Sequence, residues 1–74
     1  MSTNEVVFEV WCELLEVPSA SEDDDFFSLG GNSLLALQLV SQLEERLGID
    51  VPLDTLFTEG TLGALLKECN AAIS

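Results

Sequence analysis

Residues 29–35 read LGGNSLL, and Ser33 within that run is the side chain whose type and setting most suggest chemistry. A serine hydroxyl can attack an electrophile, cap a helix, or receive a modifying group. Attack requires a base to take the hydroxyl proton. The chain has no His, and Lys67 falls on the polar side of the last helical pattern. The strained elbow of hydrolases requires G-x-S-x-G, whereas Leu34 and Leu35 follow Ser33. A phosphate loop would close on Gly-Lys-Ser/Thr, and that ending is absent. The acidic run EDDDFF fails as a calcium loop, because Ser28 stands where the sharp-turn glycine belongs and Leu34 where the closing Glu belongs. The two cysteines, Cys12 and Cys69, lie far apart and have no His beside them, so no metal-ligand cluster is legible. Paired carboxylates would need a cleft that a chain this short hardly supplies. The expectation is a protein that is not an enzyme.

Two readings of Ser33 then remain. It is a passive first-turn residue beside an Asn cap, or it is a serine set out to be modified. The sequence supplies more than a cap needs. Gly30 and Gly31 let backbone and foreign groups approach closely. Asn32 is a favoured N-cap, which puts Ser33 at the first helical position, where a phosphate ester would meet unsatisfied N–H groups and the positive end of the helix dipole. Together these describe a serine positioned for a phosphate-bearing group.

The elements that must position this serine are readable from periodicity. Ser2 with Glu5 fits a capping box, and Val7, Val10, Trp11 and Leu14 recur at i, i+3, i+4 and i+7, the stripe of a first helix. Glu5, Glu9, Glu13 and Glu16 take the opposite face, Cys12 falls off the stripe and is expected partly exposed, and Pro18 is expected to end the helix. Residues 18–32 form a connection longer than usual, with Phe26, Phe27 and Leu29 as its anchors and at least one Phe tucked beneath it. The second helix is expected from Ser33 to Leu47, closed by Gly48. Leu35, Ala36, Leu39, Val40, Leu43 and Leu47 form its core stripe. Leu34 and Leu37 fall outside that stripe with Ser33, as candidates for a contact surface unless the long loop covers one of them. Pro52 opens a short helix anchored by Leu53, Leu56 and Phe57. Gly60 breaks it, and Thr61 caps a last helix in which Leu62, Leu65, Leu66, Cys69 and Ile73 share a face. Cys69 then reads as an inert core residue, which argues against a disulfide with Cys12. The fold class is all-α: one domain over 1–74, a small bundle of three longer helices and one short one, with a long loop between the first and second.

Composition narrows the partners. With 74 residues, 14 Asp and Glu, and only two basic side chains, the formal net charge is -12. Nucleic acid and anionic membrane surfaces are excluded as ligands for want of a basic stripe, and a basic protein partner is the natural reading. The N-terminal stretch carries no signal-peptide pattern, and no run approaches the ~20 apolar residues of a membrane span. A cytoplasmic monomer is expected.

At this point the string DDDFFSLGGNSLLALQLVSQLEERLGIDVPLDTLF resembles the thiolation, or peptidyl carrier, domain of nonribosomal peptide synthetases, a member of the acyl carrier protein-like superfamily. DDFFSLGGNSLLA follows that family's D-[DN]-F-F-x-L-G-G-x-S-L pattern residue by residue, and GIDVPLDTLF…TL follows in order and spacing, so the resemblance covers about residues 5–72. It implies that Ser33 receives phosphopantetheine from coenzyme A through a phosphopantetheinyl transferase, which holds the magnesium ion. Gly30, Gly31 and Asn32 would form the supporting loop. The arm's thiol would carry an aminoacyl or peptidyl thioester, loaded by an adenylation enzyme and used by condensation, thioesterase or tailoring enzymes. Leu34 and Leu37 match positions that the family uses for partner contact. Acyl carriers of fatty-acid and polyketide synthesis typically show D-S-L at the serine, whereas Asn32 and the two glycines here favour the peptidyl branch. The chain departs from the pattern at Gly60, where proline is common, and at Gly63, where alanine is usual and where glycine should weaken the helix by about 0.5–1 kcal/mol. A free-standing carrier loaded in trans is expected, against a domain excised from a longer synthetase. The rival of another class is a helical interaction module without covalent cargo, which would be indifferent to substitution of Ser33. The nature of the cargo is not legible.

Overall fold

The computed structural model describes residues 2–73 and consists of four helices: α1 (Thr3–Leu15), α2 (Ser33–Leu47), α3 (Leu53–Thr58) and α4 (Leu62–Ile73). Each boundary has a local cause. The Ser2 hydroxyl accepts the Glu5 N–H (3.2 Å), the Asn32 side-chain oxygen accepts the Leu35 N–H (2.9 Å), and the Thr61 hydroxyl accepts the Ala64 N–H (3.2 Å). Each bond satisfies one of the donors that a helix start leaves unpaired. Gly48 closes α2 in the left-handed conformation (φ 67°), its N–H donating to the Glu44 carbonyl. The first helix stops earlier than Pro18 would stop it. Glu16 turns left-handed (φ 56°), and the Val17 N–H reaches back to the Cys12 carbonyl at 3.1 Å.

α1 packs against α2 and α4, and α3 bridges α2 and α4. The core between them is apolar: Val7, Val10, Trp11, Phe26, Ala36, Leu39, Leu43, Leu62, Leu65 and Cys69 lose all solvent contact. At about 25 cal/mol per Å² of apolar surface, such side chains are the main source of stability in a chain this short. Trp11 stands edge-on to Phe26 with ring centroids 5.4 Å apart. Two expected anchors lie outside. Phe57 is about half exposed, at 51%, and Ile73, the last residue of α4, is 49% exposed. A six-residue helix can bury little more than one stripe, and in α3 Leu56 takes it. Cys12 is half-buried and Cys69 buried, and both are free thiols. No described helix is long and apolar enough to cross a membrane.

The long loop is ordered by sutures to the turn between α3 and α4. The Phe26 N–H donates to the Gly60 carbonyl (2.7 Å), the Leu62 N–H to the Asp24 carbonyl (3.0 Å) and the Gly63 N–H to the Glu22 carbonyl (2.9 Å). An isolated antiparallel bridge, Asp25 with Thr61, marks the centre of this contact. The acids of the loop are occupied locally. The Asp24 carboxylate accepts the Ser21 N–H and the Asp25 carboxylate accepts the Ser28 N–H, both at 2.9 Å.

Candidate functional site

Ser33 is exposed at the first position of α2. The Asn32 side chain takes the Leu35 N–H, and the Ala36 N–H goes to the Asn32 carbonyl at 2.8 Å. The amides of Ser33 and Leu34, first in the helix, have no intrahelical acceptor. No acid lies in the first turn of α2, so no carboxylate of that turn neutralises the positive end of the helix.

The two glycines do different things. Gly30 has φ 100° and open space around it, so it supplies a backbone conformation that side chains rarely adopt. Gly31 is a packing position: a Cβ there would sit 2.5 Å from the Phe26 ring and 2.6 Å from its carbonyl oxygen. The same carbonyl accepts the Gly31 N–H at 3.0 Å. The glycine read as an access point therefore lets the backbone that leads to Ser33 rest on a buried ring.

Around Ser33 the surface is apolar. Leu34 is 64% exposed and Leu37 53% exposed. Leu37 lies one turn beyond Ser33 on the same side of the helix, so the long loop covers neither leucine. Phe57, assigned by pattern to the core, instead stacks on Phe27 in the loop (centroids 5.5 Å apart, planes at 22°) and presents its ring to solvent. Sequence reasoning also missed a charge signal. In a chain with 14 acids, no charged residue occurs from Phe26 through Leu43. The acids of this protein lie before and after that stretch of the sequence.

Among the described residues there is no cleft and no group of three or more metal-ligating side chains. Neither endogenous thiol is poised for chemistry. Burial, followed by the charge of Asp24, raises the pKa of Cys12, and burial, followed by Glu68, pushes the Cys69 thiol up to about 11. The site can present a hydroxyl, helix-end amides and an apolar surface, in a chain that has no His.

Comparison with known proteins agrees with this inventory. The family model for the phosphopantetheine attachment site matches residues 5–69. A linear gramicidin synthase of Brevibacillus parabrevis is 46% identical over 70 residues, which is 95% of this chain and 1% of that protein. The chain thus corresponds to one small unit of a very long relative. Among solved structures, an active-site mutant peptidyl carrier protein superposes with a TM-score of 0.88 at 26% identity, over 97% of this chain and 80% of that one. A chain from the complex of the phosphopantetheine transferase Sfp with coenzyme A and a peptidyl carrier protein superposes with a TM-score of 0.86 at 27% identity, covering 96% and 92% of the two chains. The chain therefore belongs to the phosphopantetheine attachment family, as a peptidyl carrier domain of nonribosomal peptide synthesis.

Proposed function

We propose that Ser33 is the residue that carries phosphopantetheine. The observation that supports this most directly is its placement: an exposed hydroxyl at the first position of a helix whose opening turn holds no acid. A phosphate ester at that oxygen would lie beside the unsatisfied amides of Ser33 and Leu34 and the positive helix end. The group fits the residues present. Once attached, its thiol supplies the reactive end that holds an aminoacyl or peptidyl thioester.

The chain's own residues hold, present and dock. Asn32 fixes the start of the helix, Gly31 seats the loop on Phe26, and the exposed Leu34 and Leu37 offer an apolar surface to successive partners. Those partners are a phosphopantetheinyl transferase, an adenylation enzyme, and condensation, thioesterase or tailoring enzymes. The carrier acts as their substrate in the cytoplasm, as a single 1–74 domain and a monomer. The same chemistry serves a carrier that diffuses freely and one held within a synthetase. Net charge -12 attracts partners with basic rims over long range.

Incubation with a broad-specificity transferase and coenzyme A, read by intact mass, tests the assignment. One phosphopantetheine should be gained, and none by Ser33→Ala. Equal gain by Ser33→Ala would end the proposal.

A further inference from the structure

The sutures between the long loop and the α3–α4 turn converge on one residue far from Ser33 in sequence. Gly60 is left-handed (φ 72°), and its N–H donates to the Thr55 carbonyl at 3.1 Å. Its carbonyl takes the Phe26 N–H in the shortest of the three sutures, at 2.7 Å. A Cβ on Gly60 would stand 2.5 Å from the Asp25 carboxylate oxygen. Proline, which the family resemblance would place here, has neither the N–H nor the φ that this turn uses.

From Gly60 the path to the serine is short. Asp25 lies in the space that a Cβ would fill, and its other carboxylate oxygen holds the Ser28 N–H at 2.9 Å. Phe26 is fixed by the Gly60 carbonyl, and its ring and carbonyl are in turn the seat of Gly31. Gly31 is two residues before Ser33. We propose that Gly60 is a positioning residue for Ser33. By admitting the Asp25 carboxylate and holding Phe26, it fixes the seat on which the Gly31–Ser33 backbone rests, and so sets where the hydroxyl stands when a transferase docks. This rests on the reading of Ser33 as the loaded residue.

The test is steady-state loading of Gly60→Ala with a phosphopantetheinyl transferase and coenzyme A, with the folded fraction of each sample measured in parallel. A small misplacement of a reacting group costs up to about 100-fold in rate. The expected result is therefore a fall of about 10- to 100-fold in kcat per folded molecule, with KM for the carrier changed much less because Leu34 and Leu37 are untouched. In an Asp25→Ala background the further loss from Gly60→Ala should shrink, because the carboxylate that the added methyl would displace is gone. Cys69→Ala, a core truncation outside the sutures, should lower stability and leave kcat per folded molecule unchanged. A wild-type protein that gains no phosphopantetheine would refute the Ser33 reading itself. A wild type that loads, with Gly60→Ala loading equally well per folded molecule, would refute only the positioning role.

Should Gly60→Ala not fold, amide exchange of the wild type decides. The Phe26, Gly31, Leu62 and Gly63 amides should open as one cooperative unit with a common free energy. Gly31 exchanging independently of the other three would overturn the proposal.

Discussion

Raising the pH should destabilise this protein through one buried thiol. Cys69 has no exposed surface on the inner face of α4. Burial, followed by the charge of Glu68, lifts its pKa from 9.0 to about 11. In the unfolded chain the thiol keeps its ordinary value. The folded state therefore holds the proton more tightly, and the sign follows. The stability tied to that proton is fully present below pH 9, declines above it, and is gone once the pH passes about 11. At about 1.4 kcal/mol per pH unit of difference, the span from 9 to 11 amounts to roughly 2–3 kcal/mol. That is a large part of the margin expected of a domain this small. Cys12 moves in the same direction, through burial and then Asp24, and adds to the slope.

The background is clean for such an experiment. The chain has no Tyr and no His, and Lys67 is its only lysine. Urea unfolding followed by the fluorescence of Trp11, the sole tryptophan and fully buried, should show the wild-type midpoint falling steeply between pH 9 and about 10.5. Cys69→Ala starts lower, because it leaves a void, but its midpoint should fall less steeply over the same range, since only Cys12 then contributes. If Cys69→Ala loses stability with pH as steeply as the wild type, the reasoning fails. The same proton bears on function. At pH 7 a thiol of pKa about 11 is thiolate in only about one molecule in ten thousand. Cys69 is thus a poor competitor for an acyl group carried as a thioester on the same protein.

Glu16→Gly should stabilise the fold. A left-handed side chain costs about 1–2 kcal/mol, and the extra unfolded-state freedom of glycine offsets about 0.5–1 kcal/mol of that relief. A net gain of about 0.5–1 kcal/mol over Glu16→Ala, which removes the same charge but keeps its Cβ, is therefore expected in urea unfolding, and an Ala variant as stable as the Gly variant would contradict it. For partner binding measured by stopped flow, added salt should lower the association rate, by about 10-fold or more, while Leu37→Ala should mainly raise the dissociation rate. A salt-independent association rate would remove the steering argument.

What is legible in the sequence is local. The bounds of α2 follow from Asn32, Gly48 and a leucine stripe that lie within one stretch, and the exposure of Leu34 and Leu37 follows from their angular distance to that stripe. The placement of Ser33 at the head of α2 is legible for the same reason, since its cap, glycines and flanking leucines are contiguous. What is not legible depends on residues far apart in the chain. Phe57 looks like a core anchor until Phe27 from the loop is seen to stack on it at the surface. Gly31 looks like an opening until the Phe26 ring is found beneath it. Gly63 looks like a weakness of α4. Yet a Cβ there would press within 3.2 Å of the Glu22 carbonyl, which accepts the Gly63 N–H, so the helix propensity lost is exchanged for a suture to the loop. Pro18 is a plausible stop, but the chain turns two residues sooner, at a non-glycine left-handed cap that no propensity rule favours.

On the proposed docking role of Leu34 and Leu37, the placement of charge would let one small surface serve several enzymes. Carboxylates at the contact itself would have to be stripped of water at every docking, and a poorly matched partner would leave them buried and unpaired at a cost of several kcal/mol. Keeping the segment from Phe26 to Leu43 free of charge removes that penalty for every partner alike. The acids on the rest of the body still raise the encounter rate at a distance. Attraction and contact are thus assigned to different residues. The apolar contact can remain weak enough to release one enzyme and accept the next, which is the requirement of a carrier whose cargo must move on. Rigidity has a separate source as well: the loop that leads into Ser33 is tied by backbone bonds to the α3–α4 turn, so a partner need not spend binding energy on ordering it.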